Sequence, residues 1–187
     1  MAQIDNIKHQ LEKPMTHLVK YFPIRIRNVN EQQKADRQLI YDFKDGRAYE
    51  QVAVMTANRL KEQYGEQLAN MVFICIPASS KEKNELRYKD FSCRVSELTG
   101  MQNGYEHVYV ESNRLALHEQ DRKKRVRTAQ VIDFDKDFFD GKNILVYDDV
   151  VTTGESYGLF ANQLEQFGGK VLGGLFLGRT SYNVNKA

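Results

Sequence analysis

Six consecutive apolar residues, Met71-Val-Phe-Ile-Cys-Ile76, constrain this chain more than any other stretch, because a strand with no polar position has no face to give to water. Such a run reads as a strand covered on both sides, the mark of a parallel sheet flanked by helices. Short runs of similar character recur at His107 to Val110, Asn143 to Tyr147 and Lys170 to Leu177. Helical patterns lie between them. From Arg47 onward, Ala48, Val52, Met55, Leu60 and Tyr64 recur at roughly helical spacing and predict an amphipathic helix of about five turns. Two more helical patterns cover Tyr88 to Leu98 and Glu155 to Phe167. The alternation predicts an α/β fold with a doubly wound, mainly parallel sheet flanked by helices, whose ligands bind beyond the carboxyl ends of the strands. The loops starting at Pro77, Glu111 and Asp148 are therefore the places to look.

A length of 187 residues with 41% hydrophobic residues suits one globular domain, and three prolines, no low-complexity segment and no internal repeat mark no linker. Residues 1–187 read as a single domain, with 1–45 as an N-terminal extension and 46–187 as the core. In the extension, Ile4, Ile7 and Leu11 suggest a helix ending near Pro14, followed by a strand-like stretch from Ile24 to Val29. An apolar run from Leu39 to Phe43 then closes on an Asp45-Gly46 turn.

The 27 basic and 25 acidic residues give a net charge of +2, too balanced to argue for a nucleic-acid partner, so any basic site must be local. Cys75 and Cys93 form no CxxC pair, and neither stands at zinc-ligand spacing from a histidine; both read as reduced thiols. His9, His17, His107 and His118 read as scattered surface or core histidines. The N-terminus shows no signal-peptide pattern and no apolar run nears the roughly 18 residues of a membrane span, so a cytoplasmic protein is expected.

The chemistry concentrates in Asp148-Asp149-Val150-Val151-Thr152-Thr153-Gly154-Glu155-Ser156, which leads from the end of the strand at Asn143 to Tyr147 into a helix. Two adjacent carboxylates at a strand end repel each other unless a cation or a polyhydroxyl ligand occupies the site, and vicinal ribose hydroxyls are suitable donors. Thr152-Thr153-Gly154 can turn its backbone N–H groups toward one point at the helix N-terminus, where the dipole also favours an anion. The hydroxyls of Thr153 and Ser156 add two donors. A diol binder and a phosphate cradle within nine residues match the two ends of a ribose 5-phosphate. A plain strand–turn–helix connection with an acidic cap explains Asp149 and the glycine but not the whole run.

The stretch Ile144 to Ser156, ILVYDDVVTTGES, resembles the motif by which type I phosphoribosyltransferases bind 5-phosphoribosyl 1-pyrophosphate (PRPP); Tyr147 departs from the family's usual aliphatic residue or Cys. The likeness extends over about Leu39 to Thr180 toward ComF-like proteins, those associated with bacterial DNA uptake, through IYDFKDGRAYE, the IPAS loop with Arg87-Tyr-Lys-Asp-Phe91, RKKRVRTAQVIDF and the closing Leu177-Gly-Arg-Thr180. The zinc-binding cysteine cluster with which those proteins commonly begin has no counterpart here.

The resemblance implies the type I fold with a small N-terminal hood over the acceptor. It also implies transfer of ribose 5-phosphate from PRPP to a nitrogen acceptor, with Mg²⁺ held mainly by PRPP and water and with no direct protein ligand. It assigns Asp148 and Asp149 to the ribose hydroxyls as catalytic residues, and Val150, Val151, Thr152, Thr153, Gly154, Glu155 and Ser156 to the 5-phosphate. It assigns Ala78, Ser79, Ser80 and Arg87 to the pyrophosphate and makes Asp121 to Arg127 a mobile basic loop over the leaving group, with the choice among Lys123, Lys124 and Arg125 open; a solvated face is the other reading of that run. Enzymes acting on 6-oxopurines typically carry an acid where this chain has Thr152, which disfavours hypoxanthine or guanine; the acceptor stays open. Because the family often forms dimers, a homodimer is an expected assembly. Two other classes stay open. One is a PRPP- or nucleotide-sensing protein that performs no transfer. The other is a DNA-handling accessory protein whose basic Asp121 to Arg127 segment would bind single-stranded DNA with steep salt dependence. Aromatic residues for base stacking are sparse in that segment, which ranks the last below the first.

Overall fold

The computed structural model describes residues 6–111 and 131–183. Five strands form a central parallel sheet: β1 (Met15–Tyr21), β2 (Met71–Cys75), β3 (Gln102–Asn103), β6 (Asn143–Val151) and β7 (Lys170–Thr180), in the order β1-β7-β6-β2-β3. The helices that cover it are α1 (Lys8–Leu11), α2 (Glu31–Lys44), α3 (Tyr49–Tyr64), α4 (Lys81–Thr99), α5 (Lys136–Phe139) and α6 (Glu155–Gln166). The expected mainly parallel α/β sheet between helices is what the chain adopts.

Side-chain alternation sorts the sheet into two faces. On β2 and the first half of β6, Phe73, Cys75, Leu145 and Tyr147 pack with Phe43, Val52, Leu60, Tyr88 and Phe91 from α2, α3 and α4. The intervening Val72, Ile74, Ile144 and Val146 pack with Phe139, Phe160, Ala161 and Leu164 from α5 and α6. All five β2 residues are buried, as an apolar run between two helical layers requires. From β2 the chain crosses through α4 outward to β3; from β6 it crosses through α6 the other way to β7. The direction of winding therefore reverses between β2 and β6, the position at which open α/β sheets bind ligands beyond the carboxyl ends of their strands.

Three expectations about elements are corrected. The N-terminal strand is Met15–Tyr21, not Ile24 to Val29: β1 pairs in parallel along β7, whereas Ile24 is 74% exposed and the stretch around it joins no sheet. The run at His107 to Val110 does not enter the central sheet. Its strand β4 (Val108–Glu111) pairs antiparallel with β5 (Val131–Phe134), while the short β3 takes the place beside β2. The third concerns β6, which does not stop at Tyr147 but runs on through Asp148 and Asp149 to Val151, so the two acids sit on the sheet rather than in a loop.

The described part of residues 1–45 supplies β1 and α2 to the same unit, with α2 lying against β1 and β6. Asn30 starts α2 with a reciprocal cap: its Oδ1 accepts from Gln33 N–H at 2.9 Å, and Gln33 Oε1 accepts from Asn30 N–H at 2.9 Å. This fixes where α2 begins, and its length then carries Lys44 to Asp149.

Candidate functional site

Ile76 N–H donates to Tyr147 C=O at 2.8 Å, which holds the loop after β2 beside β6 at the point where the two acids follow. Asp149 is 7% exposed, yet it is not isolated. Its Oδ2 accepts a charged hydrogen bond from Arg87 Nη1 on α4, and Lys44 Nζ at the end of α2 stands 3.4 Å from its Oδ1. Asp148 is half-buried. Its Oδ1 accepts from the Asp149 N–H at 2.8 Å and from the Tyr88 hydroxyl at 3.2 Å. Burial, and then the negative charge of Asp149, pushes the Asp148 carboxyl up to about 7. Burial, followed by the charges of both acids, pushes the Tyr88 hydroxyl well above its ordinary value, so Tyr88 acts as a fixed donor.

The segment after the acids encloses a cavity of about 120 Å³ lined by Asp148, Val150 to Tyr157 and Phe176. Gly154 makes the turn into α6 at φ +84°, a left-handed conformation that side-chain-bearing residues rarely adopt. A Cβ there would also meet Leu11 Cδ2 at 2.8 Å and Met15 Cε at 3.1 Å, so the N-terminal segment presses on the outside of this turn. Thr152 and Thr180 share a hydroxyl hydrogen bond of 2.7 Å, and Thr153 Oγ1 accepts from Glu155 N–H at 3.4 Å. Thr152, Thr153, Glu155 and Ser156 are exposed around a buried Gly154. A small, polar-rimmed concavity at the N-terminus of a twelve-residue helix is suited to an anion.

Asp148 and the Val150 to Ser156 turn line one cavity, and Asp149 and Arg87 pair beside it. The Ala78 to Ser80 loop lies at the adjacent end of β2. Within that loop Ala78 N–H donates to Asn84 Oδ1 at 2.9 Å and Ser80 caps α4 by accepting from Lys83 N–H at 3.3 Å; Ser79 is exposed. Arg87, expected as a pyrophosphate ligand, is paired here with Asp149. Lys123, Lys124 and Arg125 lie outside the described residues, as does His118. His107 is stacked on Phe138 and bonded to Asp135 at 2.9 Å, and His9 stands 3.4 Å from Glu165. Cys75 is buried and Cys93 exposed, both as free thiols.

Sequence reasoning missed Lys44 and Tyr88. Tyr88 follows Arg87 directly and could have been found with it. Lys44 carries no such signal, since only the packing of α2 on β1 and β6 brings it to Asp149.

No family model matches the chain, and no curated protein matches it. Among solved structures the chain is similar to the crystal structure of a purine phosphoribosyltransferase from Pyrococcus horikoshii Ot3, at 11% identity over 90% of this chain and 98% of that one, with a TM-score of 0.34. The five-stranded parallel sheet flanked by helices is an α/β fold. Among the described residues no helix is long and apolar enough to cross a membrane.

Proposed function

We propose that this chain binds PRPP with Mg²⁺ and transfers ribose 5-phosphate to a nitrogen acceptor, releasing pyrophosphate. The observation that carries the reading is the juxtaposition, at the winding reversal, of a 120 Å³ cavity at the start of α6 with two carboxylates on the neighbouring stretch of β6. In this reading the Val151 to Ser156 turn holds the 5-phosphate, Asp148 and Asp149 accept from the ribose hydroxyls, and Ala78 to Ser80 with Arg87 face the pyrophosphate. The C1–O bond to pyrophosphate breaks, the acceptor nitrogen forms the new bond to C1, and the acceptor proton leaves to solvent. Positive charge then develops on the sugar and negative charge on the leaving group, so positioning and electrostatics carry the catalysis and no side-chain nucleophile is required.

The donor set fits the metal that PRPP chemistry uses. Among the described residues no cluster of three or more ligating side chains occurs, and the site offers only two carboxylates. Mg²⁺ commonly keeps several waters and takes one or two carboxylates beside substrate oxygens. PRPP oxygens and water would hold it, with Asp148 and Asp149 supporting it through water and the ribose hydroxyls, and when bound it would neutralise the leaving pyrophosphate.

The test is calorimetric titration of PRPP with Mg²⁺ into the wild type and Asp148→Asn, a variant that leaves the Arg87–Asp149 pair intact. Saturable binding that weakens at least tenfold in the variant supports the reading, and pyrophosphate release with a nitrogen acceptor separates transfer from sensing. Absence of binding to the wild type overturns it.

A further inference from the structure

Asp149 is already occupied by two of the chain's own cations, and the two are unequal. Arg87 approaches Oδ2 of Asp149 from α4 with only 15% of its side chain exposed, and its Nε is buried without a partner among the described residues. Lys44 approaches Oδ1 from α2 at 3.4 Å, within ion-pair range but longer than a charged hydrogen bond, with 36% of its side chain exposed against 10% for Asp149. Arg87 is thus fixed by its surroundings. Lys44 is a flexible stem whose ammonium is held loosely and can swing into the site, because its four-carbon chain leaves the charge free to re-aim.

We propose that Lys44 is a pyrophosphate ligand, which neutralises Asp149 until substrate arrives and then passes to the diphosphate while Asp149 turns to the ribose hydroxyls. The inference rests on the phosphoribosyl reading above and extends it to an element, α2, outside the motif. Three observations support an exchange of partners. Asp149 is too enclosed to stand as an uncompensated charge, so it needs a resident cation whenever the site is empty. One fixed cation, Arg87, remains when Lys44 departs, so the acid is never stripped of both. The incoming ligand brings anionic oxygens beside the same carboxylates, which gives the departing ammonium a stronger partner than the one it leaves.

The test uses the full chain and three probes with Mg²⁺: PRPP, inorganic pyrophosphate and ribose 5-phosphate. Lys44→Met keeps the stem and removes the charge; Lys44→Arg restores a charge. If Lys44 ligates the diphosphate, Lys44→Met weakens PRPP and pyrophosphate by roughly tenfold, leaves ribose 5-phosphate unchanged or tighter, and Lys44→Arg recovers most of the loss. Equal affinities for pyrophosphate in wild type and Lys44→Met, with ribose 5-phosphate still bound, overturn the inference while leaving the phosphoribosyl site standing. Failure of the wild type to bind any of the three overturns both. Circular dichroism of Lys44→Met checks folding, and should the variant unfold, Lys44→Gln carries the same comparison.

Discussion

Burial, and then the charge of Asp149 beside it, raises the Asp148 carboxyl to about 7. Its ordinary value in an unfolded chain is about 3.9. Between about pH 4 and pH 7 the native state therefore keeps a proton that the unfolded state has released, so this group's contribution to stability falls as pH rises through that window and levels off above 7. Asn carries no proton to lose, and its side-chain oxygen can still accept from Tyr88. Asp148→Asn is accordingly expected to gain on the wild type between pH 5 and pH 8, by roughly 1–3 kcal/mol, in paired thermal unfolding scans. A difference in Tm that stays flat across that range would show that Asp148 is not raised. Asp149→Asn is expected to act in the opposite direction: it leaves the enclosed guanidinium of Arg87 without its paired anion, at a cost of about 3 kcal/mol. Arg87→Met combined with Asp149→Asn should recover part of that loss in a double-mutant cycle; strict additivity would mean the pair is not coupled.

At the scale of elements, the turn between β6 and α6 is the tightest constraint. Gly154→Ala adds a methyl at φ +84° and drives it toward Leu11 and Met15, so a loss of about 1–3 kcal/mol is expected, with phosphate binding weakened alongside. Chemical denaturation and a phosphate titration check both, and a variant as stable as wild type would mean that α1 and β1 yield without consequence. This turn, like the runs at β2, β6 and β7, was readable in the sequence, because burial on both faces leaves no polar position and a left-handed turn selects glycine. The extent of β6 was not, since two acids on a strand read as its end. Edge strand β1 was not readable either: Met15–Tyr21 carries Thr16, His17 and Lys20, and an edge strand needs no unbroken apolar run. Conversely, Ile24 to Val29 alternates well but finds no neighbour, and alternation without a partner strand makes no sheet. The contact of Lys44 with Asp149 is legible from neither pattern, because periodicity describes neighbours along the chain and this pair is made by packing.

For the molecule as a whole, the site draws on segments far apart in sequence: Lys44 ends α2, Arg87 and Tyr88 come from α4, and the acids and turn come from β6 onward. A ligand bound across them ties the helical layer of α2 and α4 to the sheet, so its binding energy should appear in global unfolding rather than in local fraying. At a free concentration a hundred times its Kd, such a ligand stabilises the native state by about 2.7 kcal/mol. For a chain of this length that corresponds to a rise in Tm of roughly 5–10 °C. Mg²⁺-PRPP is expected to give the full shift as a single transition, whereas at the same total concentration ribose 5-phosphate should give less, because it engages the acids and the turn but not Arg87 or the loop after β2. Differential scanning calorimetry separates the outcomes. Equal shifts from the two compounds would mean that the pyrophosphate half of the site contributes nothing to binding, and the roles given to Ala78, Ser79, Ser80 and Arg87 would fall with it.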